Sequence, residues 1–555
     1  MILIRVAINS AILLLFLSTM ILPILGAATP SEATIDVHSM TPKSVERTWD
    51  DVTLIYEGVF HDPVMVDEEI VQFENSVPNL IETEVLGQSY QGRNITSIRV
   101  TNEDSTTTKA KTLIVAHHHG REQVTVEAAL RFIQRLVNLY GVDDTITNYV
   151  DTEEIFVIPT LNPDALERVV NEGDYWLRKN LHPFDNDNDG LFDEDTWDDV
   201  NGDGEISRYY EYTRTSPSAN WVLQNYWYEG IDDDGDGEAN EDEIGLVDLN
   251  RNYETYFGSG GSSSTPTDQT YHGESAFSEP ETQAFRDFAL QHRFAAAYSL
   301  HTGINATYMP TDVFGRIADP VQINVINDLN EILPTSFNNA VGYAASKSLE
   351  EGELATILGG GWDDWMFVAR DCVVPMTFEI YHNRSADTID TLEVLFQNDT
   401  YKLEDWTGIY EYFTPDKEYI DELWEGLIPS FDYLLDLTPR LQVTPSILGS
   451  IVSLSISVQS TQLGSITYVD VMSSQDSSLI EIYPVDYEET KTATFELPAD
   501  ANLEEGYSIF VGNDYTGYIE VILTSESTIN LVLIVTIVGV AIIALVLVTV
   551  WMKRR

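Results

Sequence analysis

The chain has 555 residues, which is too long for a single hydrophobic core and predicts two or more domains. Its 91 acidic and 29 basic residues give a formal net charge of −62. This charge excludes nucleic acid as a partner, because phosphate groups would be repelled. It suits calcium binding or a medium of high salt, and composition favours neither. The single cysteine, Cys372, excludes an internal disulfide bond and a cysteine-rich zinc site. Nothing in the composition indicates an oligomeric state.

The first predicted element is a secretory signal peptide over residues 1–28. Arg5 precedes an apolar stretch that ends at Leu25, and small residues follow at 26–28. Because this stretch is long for a signal peptide, an uncleaved anchor remains an alternative. Residues 29–50 are polar and predict a linker.

Residues 51–435 predict one α/β domain. Strand-like runs alternate with helical patterns: strands at 80–86, 95–101, 113–117, 155–159, 295–300 and 373–380, and helices at 66–79, 124–140 and 278–292, the last with Ser278 as its N-cap. Such alternation favours a sheet that is covered by helices on both faces.

Residues 181–243 interrupt this alternation with three runs rich in Asp. Oxygen ligands at alternate positions, followed by a sharp glycine turn, form the front of a Ca²⁺ loop. No run is a standard EF-hand, since Tyr210 stands where the middle one would need Glu. Without cations these carboxylates would repel one another, so structural Ca²⁺ is favoured over a plain solvated loop. The candidate ligands are Asp185, Asp187, Asp189, Asp193, Asp195, Asp199, Asn201, Asp203, Asp232, Asp234, Asp236, Asn240 and Asp242.

Two further segments follow the α/β domain. Alternating apolar runs over residues 439–527 predict a small all-β sandwich that serves as a stalk. Residues 529–552 are free of charge and mostly apolar, which is long enough for a transmembrane helix, and 553–555 form a basic cytoplasmic tail. The sequence therefore predicts a single-pass protein of the cell membrane, held in the lipid bilayer by this helix, with its body outside the cell.

The strongest chemical signal is the run of three histidines at 117–119, directly after a predicted core strand. A catalytic zinc ion takes three protein ligands and keeps a fourth position open. Within the run only His119 has a carboxylate three residues on, Glu122. His301 directly follows another core strand and is the natural third ligand. A lone histidine is more often structural, but two at the ends of separate core strands predict one metal site. His117 and His118 receive no role beyond ending the strand.

Seven segments occur in the order seen in zinc metallocarboxypeptidases, and the chain resembles that family over roughly residues 50–430. They are His119-Gly120-Arg121-Glu122, Asn162-Pro163-Asp164, Trp176-Leu177-Arg178-Lys179, Asp248-Leu249-Asn250-Arg251-Asn252, Tyr271-His272-Gly273, Ser299-Leu300-His301 and Thr377-Phe378-Glu379. The resemblance implies a mixed, mostly parallel sheet flanked by helices. The Asp-rich insertion is similar to one in some secreted prokaryotic members.

The resemblance also implies roles for the residues of the reaction centre. His119, Glu122 and His301 would bind one zinc ion, and Glu379 would be the general base that activates water at the zinc. Arg178 would stabilise the oxyanion. Arg121 and Lys179 stand nearby as alternatives to Arg178.

Other matched positions imply how substrate is held. Asp248 would accept the free N–H of His119 and fix its tautomer. Asn250 and Arg251 would hold the terminal carboxylate of the substrate, Arg251 through a bidentate salt link. Arg121 would line the substrate subsites. Asp363 matches the base of the specificity pocket, where it would favour a C-terminal Lys or Arg.

The chain departs from the family pattern at two places. A Tyr that lines the site two residues after the second zinc histidine is replaced by Gly303. The mobile Tyr that precedes the Gly-Gly motif is also missing, and Tyr343 and Tyr381 are the candidates to replace it. These departures leave substrate preference open.

The predicted function is that of an extracellular zinc metallocarboxypeptidase that hydrolyses the C-terminal peptide bond of peptides. One alternative is a zinc-dependent deacylase of N-acyl amino acids, which also carry a free α-carboxylate. Another is a non-catalytic, Ca²⁺-binding surface protein, against which the zinc ligands together with Glu379 argue.

Overall fold

The computed structural model describes residues 46–104, 108–185, 190, 192–193, 196–202, 206–232, 237, 240, 244–304, 307–311, 320–332, 357–383, 392–406, 408–448, 451–459, 468–473, 479–484, 490–497, 507–513 and 515–523. The predicted signal peptide, most of the linker, the predicted transmembrane helix at 529–552 and the tail lie outside these ranges. Among the helices that are described, none combines the length and the apolar character needed to cross a membrane.

The α/β domain is built on a mixed sheet in the order β1-β2-β4-β3-β7-β9-β8. The first nine strands of the chain are β1 Ile81–Gln88, β2 Asn94–Val100, β3 Thr108–Ala116, β4 Glu153–Ile158, β5 Arg208–Thr213, β6 Val222–Tyr228, β7 Ala296–Thr302, β8 Thr307–Tyr308 and β9 Val374–Tyr381. The four central strands, β4, β3, β7 and β9, run parallel, and the outer pairings are antiparallel. The predicted mixed α/β sheet is confirmed.

Helices cover both faces of this sheet. They are α1 Pro63–Ser76, α2 Val124–Leu139, α3 Asp144–Thr152, α4 Pro163–Glu172, α5 Pro280–Ala289, α6 Pro320–Ile332, α7 Trp362–Val368, α8 Ile409–Phe413 and α9 Ile420–Leu437. Successive residues of β3 alternate between two cores, as a strand with two covered faces requires. Ile114 belongs to the core formed with α1, α2 and α9, whereas Leu113 and Val115 belong to the one formed with α5 and α7.

The start of α5 differs from the prediction. The N-cap is Glu279, and its side chain makes no capping hydrogen bond. The hydroxyl of Ser278 instead donates to the carboxylate of Glu279 (2.5 Å) and accepts from the amide of Asn252 (2.9 Å). Tertiary contacts therefore shift the helix start by one residue from the position that capping preference indicates.

The insertion at 181–243 contains regular structure that the sequence analysis missed. Strands β5 and β6 pair with β10 (Leu392–Gln397) and β11 (Tyr401–Trp406) into an antiparallel sheet, in the order β10-β11-β5-β6. Of the predicted calcium ligands, six are described: Asp185, Asp193, Asp199, Asn201, Asp232 and Asn240; the other seven lie outside the described ranges. Asp185, Asp193 and Asp199 accept hydrogen bonds from backbone N–H groups of their own loops.

The strands described between residues 440 and 523 form two antiparallel sheets around a shared core. The strands are β12 Arg440–Leu448, β13 Ile451–Gln459, β14 Tyr468–Ser473, β15 Leu479–Pro484, β16 Thr490–Glu496, β17 Tyr507–Asn513 and β18 Gly517–Leu523. One sheet has the order β12-β13-β16 and the other β18-β17-β14-β15. β18 also pairs with the first residues of β3, so this part of the chain is joined to the edge of the α/β domain.

Candidate active site

The predicted metal ligands converge where the parallel strands end. His119 follows β3, and His301 lies near the end of β7 beside Glu379 of β9, its register partner. Such strand ends are where α/β sheets usually bind ligands. The turn after β3 needs Gly120, because a Cβ there would lie 2.9 Å from the carbonyl oxygen of Leu177.

His119, Glu122 and His301 form one buried cluster. Nδ1 of His119 lies 2.7 Å from Oε1 of Glu122, and Nδ1 of His301 lies 2.8 Å from Oε2 of the same carboxylate. The two Nδ1 atoms are 3.2 Å apart. In the described part of the chain this is the only group of His, Cys, Asp and Glu side chains close enough to hold a metal ion. Two imidazoles and a carboxylate are the donor set of a catalytic zinc site, so the residues fit the metal that the sequence predicts.

Asp248 lies against the first histidine of the cluster. Its Oδ1 lies 3.1 Å from Nε2 of His119, which leaves Nδ1 free to face the metal position. Arg178 donates from Nε (2.9 Å) and Nη2 (2.8 Å) to Oδ2 of Asp248. Burial opposes ionisation of Asp248, but the charges of Arg178 and Arg251 hold its pKa well below the usual value.

His301 is secured by residues to which the sequence analysis gave no role. Its Nε2 lies 2.9 Å from the hydroxyl of Ser299, which lies 3.1 Å from Nδ1 of His118. Nε2 of His118 lies 3.0 Å from the hydroxyl of Tyr253. All four side chains are buried. The signal in the sequence was the second histidine of the run, but its partners come from distant segments that spacing could not connect to it.

Glu379 has the environment of a general base. It is buried, and Oε2 has no hydrogen-bond partner among the described residues. Burial and the negative charge of Glu122 raise its pKa well above the ordinary value, while Arg178 and the backbone N–H of Ile304 act in the opposite direction. A carboxylate with these neighbours readily accepts a proton.

The guanidinium of Arg178 lies beside the metal position. Its Nη1 lies 3.3 Å from Nδ1 of His119 and 4.0 Å from Oε1 of Glu122. Lys179, one of the alternatives, is buried elsewhere and donates to the carbonyl oxygen of Pro266. Arg121, the other, donates to the carbonyl oxygen of Trp176. These contacts favour Arg178 for charge stabilisation.

The predicted carboxylate clamp is only partly available in this arrangement. Arg251 is buried, and its Nε and Nη1 donate to the carbonyl oxygens of Gly261 (2.7 Å) and Asn250 (2.6 Å). Asn250 uses its Oδ1 to accept from the backbone N–H of Trp362 and places Nδ2 3.4 Å from His301. The two bonds of Arg251 use two of the five N–H groups of its guanidinium, so one N–H on Nη1 and both on Nη2 are left for a substrate carboxylate.

Phe413 occupies the space beside Gly303, the position where the family resemblance implies Tyr. Gly303 has φ +112°, and a Cβ there would lie 2.1 Å from the ring of Phe413. The guanidinium of Arg121 stacks on the same ring, 4.2 Å from its centroid. Burial and the charge of Arg178 lower the pKa of Arg121 to about 10, which leaves it charged at neutral pH. The missing Tyr is thus replaced by a ring from α8 that supports Arg121.

Asp363 and Tyr308 lie near the predicted substrate pocket. Burial raises the pKa of Asp363 to about 6, and the charge of Arg251 opposes this shift. Burial and the negative charges of Glu379 and Asp363 raise the pKa of Tyr308 to about 12, so its hydroxyl lies within electrostatic reach of both carboxylates. Tyr308 was missed because it belongs to the short strand β8, which only the sheet brings next to β9. Tyr381 directs its hydroxyl to the carbonyl oxygen of Glu411, and Tyr343 lies outside the described residues.

Comparison with known proteins identifies similar chains. Residues 66–429 match the family model described as zinc carboxypeptidase. A zinc carboxypeptidase of Saccharothrix mutabilis subsp. capreolus is 35% identical over 131 residues, which cover 23% of this chain and 30% of that protein. Carboxypeptidase A2 of Mus musculus is 22% identical over 386 residues, covering 68% and 71% of the two chains. The crystal structure of carboxypeptidase A from Helicoverpa armigera matches with a TM-score of 0.44 at 18% identity, covering 70% of this chain and 77% of that one.

Proposed function

The chain belongs to the zinc carboxypeptidase family of hydrolases, and from that premise we propose that it removes the C-terminal residue from extracellular peptides. The observation that carries the proposal is the convergence of His119, Glu122 and His301 beside Glu379. Three metal ligands and an adjacent buried carboxylate are the parts that metal-assisted hydrolysis requires.

The side chains divide the chemical work among them. Zinc, when bound by the three ligands, supplies Lewis-acid activation of water and of the scissile carbonyl. Oε2 of Glu379 takes the proton of the attacking water and delivers it to the nitrogen of the leaving amine. Nη1 of Arg178 offers positive charge where the carbonyl oxygen becomes negative.

Restriction to the last peptide bond follows from the buried arginine. The N–H groups of Nη2 and the second N–H of Nη1 on Arg251 are available to the α-carboxylate of the last residue, whose negative charge offsets the cost of burying this cation. Asp363, whose negative charge acts on Arg251, would favour a C-terminal Lys or Arg. Asp363→Asn would then reduce cleavage of peptides ending in Lys or Arg relative to those ending in Phe.

One experiment tests activity, metal dependence and preference together. The protein is incubated with peptides that differ only in the last residue, with and without a zinc chelator, and C-terminal shortening is followed by mass spectrometry. We expect loss of single residues from the C-terminus, abolished by the chelator and restored by zinc. Absence of shortening in zinc-loaded protein would refute the proposal.

The N-acyl amino acid deacylase is a second candidate, favoured by the same arginine. Nη2 of Arg251 would bind any free α-carboxylate, whether it belongs to a peptide or to an acylated amino acid. Turnover of N-acyl amino acids with no shortening of any peptide would select this alternative.

We also propose that the protein acts at the outer face of the cell membrane and that Ca²⁺ stabilises the acidic insertion. The apolar sequences of 1–28 and 529–552 support the membrane location. The density of Asp residues over 185–242 supports the calcium role. Extraction with the membrane fraction tests the location. An increase of the melting temperature with Ca²⁺, without a change in zinc-dependent hydrolysis, tests the calcium role.

A further inference from the structure

The sheet β10-β11-β5-β6 reaches the candidate active site through Trp176. The carbonyl oxygen of Trp176 accepts from Nη1 of Arg121 (3.2 Å), and its indole N–H donates to the carbonyl oxygen of Ile206 (2.8 Å), just before β5. Its ring packs edge-on against Tyr228 of β6 and Trp406 of β11, with centroids 4.9 and 5.2 Å away. Trp176 therefore connects this sheet to Arg121, the residue directly before the metal ligand Glu122.

The guanidinium of Arg208, the first residue of β5, is surrounded by aromatic rings and has no described carboxylate within ion-pair distance. Its guanidinium lies 3.9 Å from the ring centroid of Tyr226 and 5.2–5.3 Å from those of Trp176, Tyr210 and Tyr228. Register pairs Arg208 with Tyr228 and Tyr210 with Tyr226, so these side chains share one face of the sheet. Nε of Arg208 is buried without a hydrogen-bond partner among the described residues.

Arg121 lies on the other side of Trp176, towards the metal position, and it too contacts an aromatic ring rather than a carboxylate. It stacks on Phe413, its hydrogen bonds go to Trp176 and Gln269, and its Nε is likewise buried without a partner in the described ranges. Neither arginine forms an ion pair with a described Asp or Glu. Carboxylates are abundant in this protein, with 91 acidic residues, and Arg99 alone contacts three glutamates. Because no described carboxylate lies within ion-pair distance of either guanidinium, both cations beside the site can receive the anion of a ligand.

We propose that Arg208 and Arg121 form a subsite that receives the carboxylate of an Asp or Glu side chain of the peptide, on the N-terminal side of the scissile bond. The inference rests on the proposed carboxypeptidase function. Arg208 shares one side-chain hydrogen bond with Tyr210. Cation–π contacts use none of its other N–H groups, and two of these can bind a carboxylate in a bidentate manner. Arg251 holds the opposite end of the substrate, so the subsite adds a second anchor at a defined spacing.

The spacing and the net charge sharpen the expected preference. Arg121 stands directly before Glu122, and Arg208 lies one Trp ring beyond it. Since an extended peptide advances about 3.3 Å per residue, the acidic residue should stand roughly two to four positions before the scissile bond. The net charge of −62 repels anions at long range, so a single acidic residue at that position is favoured and a polyacidic peptide is not.

The test uses peptides of identical composition and charge. Each has a single Glu, placed two, three, four or eight positions before the scissile bond, and kcat/KM is measured by mass spectrometry. We expect the best of the three near positions to exceed the distant one by about tenfold, through KM, as a charge-assisted hydrogen bond allows. Arg208→Met should reduce this ratio to about twofold or less, and Arg208→Lys should retain part of it. Arg214→Met is the matched control, because Arg214 stacks on Trp221 at the other end of β5.

The outcomes separate this proposal from the one on which it rests. Equal kcat/KM for all four isomers in the wild-type protein, with peptides still shortened, would overturn the subsite and leave the carboxypeptidase function standing. Full retention of the preference in Arg208→Met would overturn the subsite as well. If zinc-loaded wild-type protein shortens no peptide of any sequence, both proposals fail. Melting temperature and zinc content are measured for each variant to establish that it folds and binds zinc. If Arg208→Met does not fold, the ratio of kcat/KM between near and distant Glu positions in the wild-type protein and in Arg208→Lys decides whether the subsite exists.

Discussion

His301 and Glu379 face each other across the parallel pair β7 and β9, where they are register partners. Backbone hydrogen bonds between the strands therefore fix the separation of a metal ligand and the proposed general base. Position on a strand is more exact than position on a loop, and a hydrolytic site benefits because the base must meet a water molecule at the metal. Neither residue needs a loop movement to reach its place.

Because Glu379 is not one of the three metal ligands, its replacement should impair catalysis without reducing zinc binding. Glu379→Gln should reduce kcat by about 10²- to 10⁴-fold, because the amide cannot accept the proton of water. Zinc content should stay at the wild-type level, since the three ligands are untouched. Peptide hydrolysis and metal analysis on the same preparation provide the measurement. Glu422→Gln, at an exposed carboxylate in the first turn of α9, is the control. Unchanged kcat in Glu379→Gln would remove Glu379 from the mechanism.

The chain of hydrogen bonds behind His301 predicts an effect on metal affinity. With Nδ1 of His301 facing the metal position, its Nε2–H donates to Ser299, whose hydroxyl donates to His118, whose Nε2–H donates to Tyr253. The donor of each of the first three side chains then meets an acceptor on the next one, and this order favours the tautomer of His301 that carries its proton on Nε2.

Ser299→Ala and His118→Ala should each weaken zinc binding by about 10- to 100-fold, as loss of such supporting groups commonly does. Competition with a chelator of known affinity gives the zinc dissociation constant. The double variant should be little weaker than either single one, because both act through the same nitrogen of His301. Tyr253→Phe, at the far end of the chain, should have the smallest effect. Additive losses would show that the side chains act independently.

Local patterns sufficed to predict the metal ligands but not what surrounds them. His119 and Glu122 are neighbours in the sequence, and the apolar strands before His119 and His301 mark positions that a parallel sheet brings together. Phe413, Tyr308 and the partners of His118 reach the site from distant segments, and no spacing rule connects them. The strands β5 and β6 were missed because their residues, many of them aromatic, lack a simple alternation of apolar and polar side chains; those of β5 are half-buried and most of those of β6 are exposed. The Asp-rich runs around these strands instead favoured the interpretation of 181–243 as calcium-binding loops.

The contact between Gly303 and Phe413 predicts a position where alanine is poorly tolerated. Gly303→Ala combines a left-handed backbone with a Cβ that meets the ring at 2.1 Å. We expect a loss of about 2–4 kcal/mol, part from backbone strain and part from overpacking. Urea unfolding monitored by tryptophan fluorescence gives the free energy of unfolding. Gly92→Ala isolates the backbone term, because Gly92 has φ +82° with nothing within 4 Å of the added Cβ, and it should cost about 1 kcal/mol. Equal losses in the two variants would mean that Phe413 moves aside freely.

A buried histidine outside the metal-ligand cluster predicts how stability depends on pH. His61 lies between two glutamates, with Nδ1 2.9 Å from Oε1 of Glu127 in α2 and Nε2 3.2 Å from Oε1 of Glu69 in α1. Burial lowers the pKa of His61, but the hydrogen bonds and charges of Glu127 and Glu69 outweigh it and raise the pKa to about 9. The folded state thus binds the proton more tightly than the unfolded chain, where the pKa of histidine is about 6.5.

The sign of the pH effect follows from this difference. The stabilisation by protonated His61 is complete below about pH 6.5 and is lost as pH rises through about 9. His61→Ala should cost about 3 kcal/mol at pH 6, because two buried carboxylates lose their cation, and the gap to the wild-type protein should narrow towards pH 9.5. Urea unfolding at half-unit steps of pH measures both proteins. His292→Ala is the control, since burial lowers the pKa of His292 to about 4 and keeps it neutral throughout this range. A gap between the wild-type protein and His61→Ala that stays constant from pH 6 to 9.5 would show that His61 is not protonated in the folded state.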